Sequence, residues 1–259
     1  MTDKSILLTK DGPVATLMLN RPNKRNALSE GMWRAIADQA GRLADDPSIK
    51  VVIVRGADAS AFSAGADIAE FDRVHASPET ADAYRQVVDS AYQSLAGLEK
   101  PTIAMIQGVC FGGGCALSLC CDLRYADPSA SFCIPPAKLG LVYSLQETKR
   151  LADLVGPSKA KEMLMGAYVV DAEEALRIGL ATRLFDAGEL ERETYGFARH
   201  LAGLSQATIR GVKAMMAEIA NGAAADTDVS RRLAEAQFES ADYIEGRRAF
   251  LEKRKPNFS

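Results

Sequence analysis

The stretch Gln107-Gly-Val-Cys-Phe-Gly-Gly-Gly-Cys115 places three consecutive glycines between two apolar segments. Before it, Thr102–Ile106 is typical of a strand that is covered on both faces. After it, small apolar residues predict a short buried helix that begins near the triplet. Main-chain N–H groups at a helix N-terminus have no intrahelical acceptor and favour negative charge. This segment therefore predicts a strand, a turn and a helix with exposed amides, although a glycine triplet alone also fits a simple packing turn.

A second loop, Ala61-Phe-Ser-Ala-Gly-Ala-Asp-Ile-Ala-Glu70, follows the apolar run Val51–Val54. Its small residues allow a ligand to approach the main chain closely. Asp67 stands where a short helix begins, as a cap or a first-turn carboxylate. Two such loops, each following a buried strand, can converge on one oxygen atom and form an oxyanion hole.

Outward from these loops, the first part of the chain alternates strand and helix patterns. Ile6–Thr9 and Val14–Leu19 read as strands around an Asp11-Gly12 turn. Helices are predicted from the cap Ser29 to about residue 44 and over residues 79–98. After Gly188 only helical patterns remain, at residues 189–202, 206–220, 228–240 and 244–253. We therefore expect an α/β core over residues 1–190 and a helical C-terminal region over residues 191–259.

The composition excludes several classes of protein. The 31 basic and 34 acidic side chains give a net charge of −3, which argues against a nucleic-acid-binding face. The uncharged segment from Pro101 to Cys121 is interrupted by Gln107 and the glycines, so we interpret it as buried and not as a membrane span. The five cysteines form no CxxC pair and have no histidine near them, which argues against a metal site. The N-terminus lacks a secretory pattern, and we expect reduced thiols in a cytoplasmic protein.

Three segments together identify a resemblance to a known family. Arg21-Pro-Asn-Lys-Arg-Asn-Ala-Leu28, Phe62–Glu70 and Gly108–Gly114 resemble the enoyl-CoA hydratase/isomerase (crotonase) family in content, order and spacing, and Glu245–Phe258 is similar to the family's ending. The resemblance implies a crotonase-like spiral of ββα turns with a helical C-terminal trimerisation region. It also implies a homotrimer or a hexamer built from two trimers, and an acyl-CoA substrate whose coenzyme A is part of the substrate, with no separate cofactor.

The resemblance further implies a set of site residues. The amides of Ala64 and Gly113 would form the oxyanion hole. Contacts to coenzyme A would come from three segments: Lys24, Arg25 and Ala27 beside the nucleotide and upper pantetheine, main-chain atoms of Ala66, Asp67 and Ile68 near the adenine, and Phe250 and Lys253 toward the coenzyme A of a neighbouring subunit. Without the family, Lys24 and Arg25 fit a solvated loop equally well.

The chain departs from the family where hydratases carry two glutamates. Ala116 occupies the first of these positions and Pro136 the second. Neither side chain transfers a proton, and general acid–base catalysis typically contributes ~10²–10⁴-fold in rate. Efficient hydration is therefore doubtful. Decarboxylation of a malonyl-type CoA forms the enolate without a base, whereas isomerisation needs at least one base.

Tyr143 is the first candidate for a replacement group, because it lies just before a capped helix on a segment expected to line the acyl pocket. Its hydroxyl could orient a carboxylate or a thioester, although a tyrosine that only packs its ring there is equally ordinary. Other polar side chains have structural explanations. Glu147 and Asp67 fit helix caps, although a catalytic role stays open for each carboxylate. We expect His75 and His200 to face solvent, although the region of His75 can also form a lid over the acyl chain, and we expect Asp122 in a salt bridge or turn.

Two further readings remain open at this stage. One is a non-catalytic subunit that binds coenzyme A or serves in assembly and keeps the fold. The other is a serine peptidase on a related spiral fold, which is disfavoured because no serine follows the glycine turn in a suitable place.

Overall fold

The amino-terminal hairpin forms around the predicted turn. In the computed structural model, which describes residues 4–258, strand β1 (Ile6–Asp11) pairs antiparallel with β2 (Val14–Leu19). Gly12 adopts a φ of 53° at the turn, a left-handed conformation that costs glycine little because it has no Cβ. The buried β2 then pairs parallel with β3 (Val51–Gly56), so the hairpin leads directly into the central sheet.

Two sheets form the core of the described residues. The larger sheet has the order β1-β2-β3-β5-β7-β10 and is parallel from β2 onward. The smaller sheet has the order β4-β6-β8-β9. The remaining strands are β4 (Ala61–Ser63), β5 (Thr102–Ile106), β6 (Val109–Phe111), β7 (Leu123–Ala126), β8 (Ser131–Cys133), β9 (Val170–Asp171) and β10 (Arg183–Leu184).

Helices cover both sheets. They are α1 (Glu30–Asp45), α2 (Phe71–Val74), α3 (Pro78–Ala96), α4 (Gly112–Ser118), α5 (Pro136–Leu139), α6 (Leu145–Val155), α7 (Pro157–Gly166), α8 (Ala172–Arg177), α9 (Leu190–Ala202), α10 (Gln206–Ala220), α11 (Asp228–Ala236) and α12 (Ala241–Leu251). Short 3₁₀ turns lie at Pro22–Lys24, Ile68–Glu70 and Gln237–Glu239.

The long amphipathic helices begin and end close to their predicted limits. The Ser29 hydroxyl accepts the Met32 N–H at the start of α1, which satisfies an orphan donor of the first turn. The predicted apolar face of α1 is buried. Helix α3 begins one residue before its predicted start and ends two residues before its predicted end, next to Gly97. Apolar periodicity therefore identified these helices correctly.

Ser144–Glu147 and Asp171–Glu174 both have the sequence spacing of a capping box, and only the first box is complete. At α6, the Ser144 hydroxyl accepts the Glu147 N–H and the Glu147 carboxylate accepts the Ser144 N–H, so both halves are present. At α8, Asp171 accepts the Glu174 N–H. The Glu174 carboxylate, however, bonds Arg177 and pairs with a lysine, because basic side chains lie within its reach.

The C-terminal region begins with a helix that shares the core of the large sheet. Leu190, Ala198 and Ala202 of α9 belong to one buried apolar cluster with residues of β2, β3, β5 and β7. Helices α10 to α12 follow, and the predicted single helix over residues 228–240 divides into α11 and a 3₁₀ turn. The boundary at residue 190 stays a prediction. The mixed α/β class is confirmed, and no helix among residues 4–258 is long and apolar enough to cross a membrane.

A buried asparagine holds the loop after β2 against β4. Asn26 is fully buried in the left-handed region, with a φ of 54°. Its Oδ1 accepts the Arg21 N–H at 2.9 Å, and its Nδ2 donates to the Ala61 carbonyl at 2.8 Å. The Ser63 hydroxyl in turn donates to the Asn26 carbonyl at 2.8 Å. One side chain thus connects two segments that are distant in sequence.

We predict that Asn26→Ala lowers the free energy of unfolding by about 2–4 kcal/mol, because the substitution leaves the Arg21 N–H and the Ala61 carbonyl without partners. Urea denaturation of the purified variant measures this loss. Asn23 lies exposed in the same loop, so Asn23→Ala is the matched control and should change stability by less than about 0.5 kcal/mol. Equal midpoints for the two variants would contradict this role of Asn26.

Candidate active site

The two glycine-containing loops are in direct main-chain contact. A Cβ atom added at Gly65 would lie 3.0 Å from the Phe111 carbonyl oxygen and 3.3 Å from the Gly113 nitrogen, and one at Gly112 would lie 3.7 Å from the Gly65 Cα. Gly65 has a φ of 99° and Gly112 a φ of 50°, which are conformations that other residues adopt only with strain. At Gly114, an added Cβ would lie 2.5 Å from the Ser63 Cβ. The backbones approach this closely because these positions have no side chains.

The amide of Ala64 is already occupied. Its N–H donates to the Arg25 carbonyl at 2.8 Å, and the next amide, that of Gly65, donates to the Ser63 hydroxyl at 3.1 Å. An N–H that is used in this way is not free to bind an oxyanion. The sequence-based assignment of Ala64 as an oxyanion donor is therefore corrected by the pairing of this loop with the segment around Arg25.

One free amide of this loop belongs to Ala66. Leu28 forms an isolated parallel bridge with Ala66, in which the Leu28 N–H donates to the Gly65 carbonyl and the Asp67 N–H donates to the Leu28 carbonyl. The N–H of Ala66 itself takes no part in this bridge, so it points away from Leu28. No group of residues 4–258 accepts a hydrogen bond from it.

The second free amide belongs to Gly113. It is the second residue of α4, where a helix provides no acceptor for its own N–H groups. Within the described range, residues 4–258, this N–H also has no other acceptor. Two unpaired main-chain donors thus lie on two loops whose backbones touch.

A cavity of about 390 Å³ opens over these amides, which is within the usual size of small-molecule sites. Both loops line it, together with Val88 of α3 and the segment from Pro135 to Tyr143. The rest of its wall consists of the aromatic side chains Trp33, Phe71, His75, Tyr84 and Tyr92, together with Glu147. Such a wall suits an apolar ligand group, while the amides and phenols provide polar contacts.

Two aromatic side chains hold Gly113. The Tyr92 hydroxyl donates to the Gly113 carbonyl at 3.2 Å. The ring of Trp33 packs edge-on against Tyr92 with centroids 5.2 Å apart, and its Cζ2 atom lies 3.2 Å from where a Gly113 Cβ would be. Burial raises the pKa of Tyr92 well above its ordinary value, so this phenol remains a neutral donor. Two residues of the cavity wall therefore support the glycine turn.

Tyr143 lies beside the same turn, as the sequence suggested. Its hydroxyl oxygen is 3.7 Å from the position of a Cβ on Gly112. Burial raises the pKa of this phenol above its ordinary value, and the nearby charge of Glu147 raises it further. The ring also packs against the hydrophobic core, so the packing role and the polar role coexist. The structure thus provides a protonated phenol next to the two free amides.

The remaining polar candidates have structural partners. Asp67 pairs with Arg21 at 2.9 Å and accepts the Ala69 N–H, as a cap should. Asp122 pairs with Lys213 at 2.7 Å, and His200 is exposed on α9. These outcomes confirm the structural interpretations made from the sequence.

His75 has a less simple environment than the sequence suggested. It is exposed, but its ring lies 4.7 Å from that of Phe71 and 5.8 Å from that of Tyr84, and it contributes to the cavity wall. His75 is therefore exposed, as predicted, and it also contributes to the cavity wall. The composition of residues 73–78 gave no signal for these ring contacts.

Known proteins of similar sequence and structure point to one enzyme family. The family model described as enoyl-CoA hydratase/isomerase matches residues 9–259. A crotonyl-CoA hydratase of Syntrophomonas wolfei is 36% identical over 264 residues, covering 100% of this chain and 99% of its own. Among solved structures, an enoyl-CoA hydratase/isomerase family protein from Hyphomonas neptunium is similar at a TM-score of 0.95 with 38% identity, covering 98% of this chain and 97% of its own. An enoyl-CoA hydratase/carnitine racemase from Magnetospirillum magneticum is similar at a TM-score of 0.95 with 35% identity, over 99% and 96% of the two chains.

The chain belongs to the enoyl-CoA hydratase/isomerase family. Its fold is the mixed α/β architecture of crotonase-family enzymes, and acyl-CoA is the substrate class that this membership supports.

The two positions that the resemblance assigns to the family's glutamates are apolar in this member. Ala116 is buried within α4, and Pro136 is buried at the start of α5, where it also lines the cavity. Among residues 4–258, only Glu147 contributes a carboxylate to the cavity wall. One of its oxygens accepts from both the N–H and the hydroxyl of Ser144, at 3.0 and 2.8 Å. Glu147 is thus a cap that also faces the site, which the capping pattern alone did not reveal.

The positions that the resemblance assigns to coenzyme A are exposed or half-buried. Lys24 and Arg25 are exposed, and Ile68 lies 61% exposed at the rim of the cavity. Ala27 is half-buried, with its carbonyl bound by Arg21. At the C-terminus, Phe250 is 83% exposed on α12, and the exposed Lys253 follows that helix with a φ of 54°. These contacts stay predictions, together with those of the main chain at Ala66 and Asp67.

We predict that Gly114→Ala lowers the free energy of unfolding by about 1–3 kcal/mol, because its Cβ overlaps Ser63 at the junction of the two loops. Gly41→Ala is the control: it lies exposed within α1 with nothing within 4 Å of its added Cβ, and it should raise stability by about 0.5–1 kcal/mol. Denaturant unfolding of both variants measures the difference. Stabilisation of both variants would show that the loops do not touch as described.

Proposed function

We propose that this protein binds an acyl-CoA thioester and stabilises its enolate with the N–H groups of Ala66 and Gly113. The observation that carries the proposal is the pair of unpaired main-chain donors on touching loops at the floor of an aromatic cavity. The thioester oxygen gains negative charge in the transition state, so rigid donors favour that state over the ground state. In comparable oxyanion holes, one donor contributes roughly 2.7–4 kcal/mol.

Within this activity, we propose decarboxylation of a malonyl-type (2-carboxyacyl) CoA. Cleavage of the bond between C2 and the carboxylate releases CO₂ and leaves the electron pair on C2, which forms the enolate without removal of a proton. The enolate then takes one proton at C2, from the Tyr143 hydroxyl or from water. This chemistry tolerates Ala116 and Pro136, because no base is needed at either position.

Hydration, which the names of several relatives indicate, is disfavoured by the same positions. Addition of water across a double bond needs one group that takes a proton from water and a route for a proton to C2. Ala116 and Pro136 provide neither. The phenol of Tyr143 is a poor base near neutral pH, because burial raises its pKa. We therefore infer that hydration is slow in this member.

A second candidate function is isomerisation of a 3-enoyl-CoA, which one observation favours. Shifting a double bond requires a single base that moves a proton between C2 and C4, and Glu147 places a carboxylate in the cavity wall. Because one of its oxygens is already bound by Ser144, only the other would be available for this work. If isomerisation is the activity, Glu147→Gln should abolish it.

The experiment that separates these reactions is mass spectrometry of the products formed from crotonyl-CoA, a 3-enoyl-CoA and methylmalonyl-CoA. The proposal predicts loss of CO₂ from methylmalonyl-CoA and little or no water adduct from crotonyl-CoA. A shifted double bond without CO₂ loss would favour isomerisation. Binding of all three thioesters without turnover would indicate a non-catalytic coenzyme A-binding subunit.

We predict that Gly113→Pro lowers kcat/KM for the active thioester by about 10²–10³-fold, because proline has no N–H to donate. Gly113→Ala is the matched control. Both substitutions add a Cβ close to Trp33, but alanine keeps the amide, so it should retain far more of the activity. Steady-state kinetics measures both values. Equal losses in the two variants would assign the effect to crowding and contradict the donor role of Gly113.

We predict that Tyr143→Phe lowers kcat by about 10–100-fold with a smaller change in KM, because the phenol acts when the enolate is formed or protonated. Tyr168 has its hydroxyl outside the cavity lining, so Tyr168→Phe controls for the loss of a phenol elsewhere and should leave kcat unchanged. An unchanged kcat in Tyr143→Phe would show that the hydroxyl of Tyr143 has no role in the reaction and that its ring only packs there.

We also propose that the protein assembles as a homotrimer, or as a hexamer of two trimers. The support is an apolar surface on the C-terminal helices that a monomer would leave exposed. Its members, all more than half exposed, are Val212, Met216, Ile219, Phe238, Ile244 and Phe250. In such an assembly, Phe250 and Lys253 would reach the coenzyme A bound to a neighbour. The cytoplasmic location expected from the sequence stays a prediction.

A further inference from the structure

The Tyr84 hydroxyl in the cavity wall has a proton to donate. The indole nitrogen of Trp33 lies 3.2 Å from the Tyr84 oxygen. Because an indole N–H can only donate, Tyr84 is the acceptor in this bond and its own proton must point elsewhere. Among residues 4–258, no group accepts that proton. Tyr84 is part of the cavity lining, so a ligand in the cavity is a candidate acceptor for this proton.

The position of Tyr84 relates it to the proposed oxyanion hole. Trp33 contacts Tyr84 through its nitrogen, and the carbon Cζ2, two bonds from that nitrogen in the same ring, packs beside Gly113. The Tyr84 hydroxyl and the glycine turn therefore contact neighbouring atoms of one indole ring. An acyl group whose thioester oxygen is held at Gly113 can reach Tyr84 with an atom a few bonds further along its chain.

The surroundings keep Tyr84 a neutral donor. Burial raises the pKa of its phenol above the ordinary value, and carboxylates nearby raise it further, against the opposing effect of the Trp33 bond. Those carboxylates, at Asp67, Glu30 and Glu70, each pair with an arginine and are not part of the cavity lining. They therefore do not compete for the Tyr84 proton. The ring of His75 faces Tyr84 edge-on with centroids 5.8 Å apart.

We propose that Tyr84 determines acyl specificity by donating to a second oxygen of the substrate, a carbonyl or carboxylate oxygen located a few bonds beyond the thioester carbonyl. The inference deepens the proposed function, and it rests on the acyl group occupying this cavity and not on which bond is broken. A purely alkyl acyl group would leave the half-buried donor without a partner. Sites built to hydrogen-bond a substrate discriminate against analogues that lack the bonding atom.

Calorimetric titration of the full-length protein with three unreactive five-carbon thioesters tests the proposal. Pentanoyl-CoA provides no second oxygen, 4-oxopentanoyl-CoA provides a carbonyl, and glutaryl-CoA provides a carboxylate. The wild type should bind at least one oxygenated thioester about tenfold more tightly than pentanoyl-CoA, which corresponds to one net hydrogen bond. Tighter binding of 4-oxopentanoyl-CoA would identify the acceptor as a carbonyl, and tighter binding of glutaryl-CoA would identify it as a carboxylate.

The variant Tyr84→Phe should lose this tenfold preference and bind pentanoyl-CoA within about twofold of the wild type. Tyr168→Phe, which changes a phenol outside the cavity, should keep the preference. Equal binding of all three thioesters by the wild type, or a preference that survives in Tyr84→Phe, would overturn the role of Tyr84 and leave the enolate proposal standing. Failure of every thioester to bind would instead overturn the proposed function, and this inference with it.

Discussion

The main-chain contact between Gly65 and the Gly112–Gly113 turn is the constraint on which the site depends. Two loops that follow separate buried strands meet there without side chains between them. A Cβ atom on Gly65 would lie 3.0 Å from the Phe111 carbonyl oxygen of the other loop. Their contact places the unpaired amides of Ala66 and Gly113 on adjacent segments. A larger residue at Gly65 would push the loops apart and separate the two donors before any ligand arrived.

Hydrogen bonds from neighbouring residues hold the two loops in this contact. Arg25 and Leu28 form hydrogen bonds with Ala64, Gly65 and Asp67 of the first loop, while the amide of Ala66 has no acceptor within residues 4–258. Asn26 holds the same segment to β4, and Tyr92 holds the second loop through the Gly113 carbonyl. Preorganised donors need no rearrangement when charge develops, which is what an enolate-forming site requires. Because the two positions that the resemblance assigns to the glutamates are apolar, we propose chemistry that needs no base for this member.

Much of this could be predicted from the sequence, because apolar periodicity and caps are local signals. Helix α1 and the strand Thr102–Ile106 were predicted on that basis. Strands β4 and β6 were missed, since three residues are too few to show a period. The oxyanion donor was placed at Ala64 and not at Ala66, because which amide is free depends on pairing with Arg25 and Leu28, which are distant in sequence. Likewise, the free proton of Tyr84 follows from a bond to Trp33, 51 residues away, which no local pattern encodes.

The most direct test of the central claim is the carbonyl stretching frequency of a ¹³C-labelled thioester, measured by isotope-edited infrared difference spectroscopy on an unreactive acyl-CoA bound to the protein. Two convergent N–H donors polarise the carbonyl and weaken its double bond. The account predicts a band at lower wavenumber than that of the free thioester in water. A bound thioester whose band stays at or above the free value would show that the amides of Ala66 and Gly113 do not meet on its oxygen.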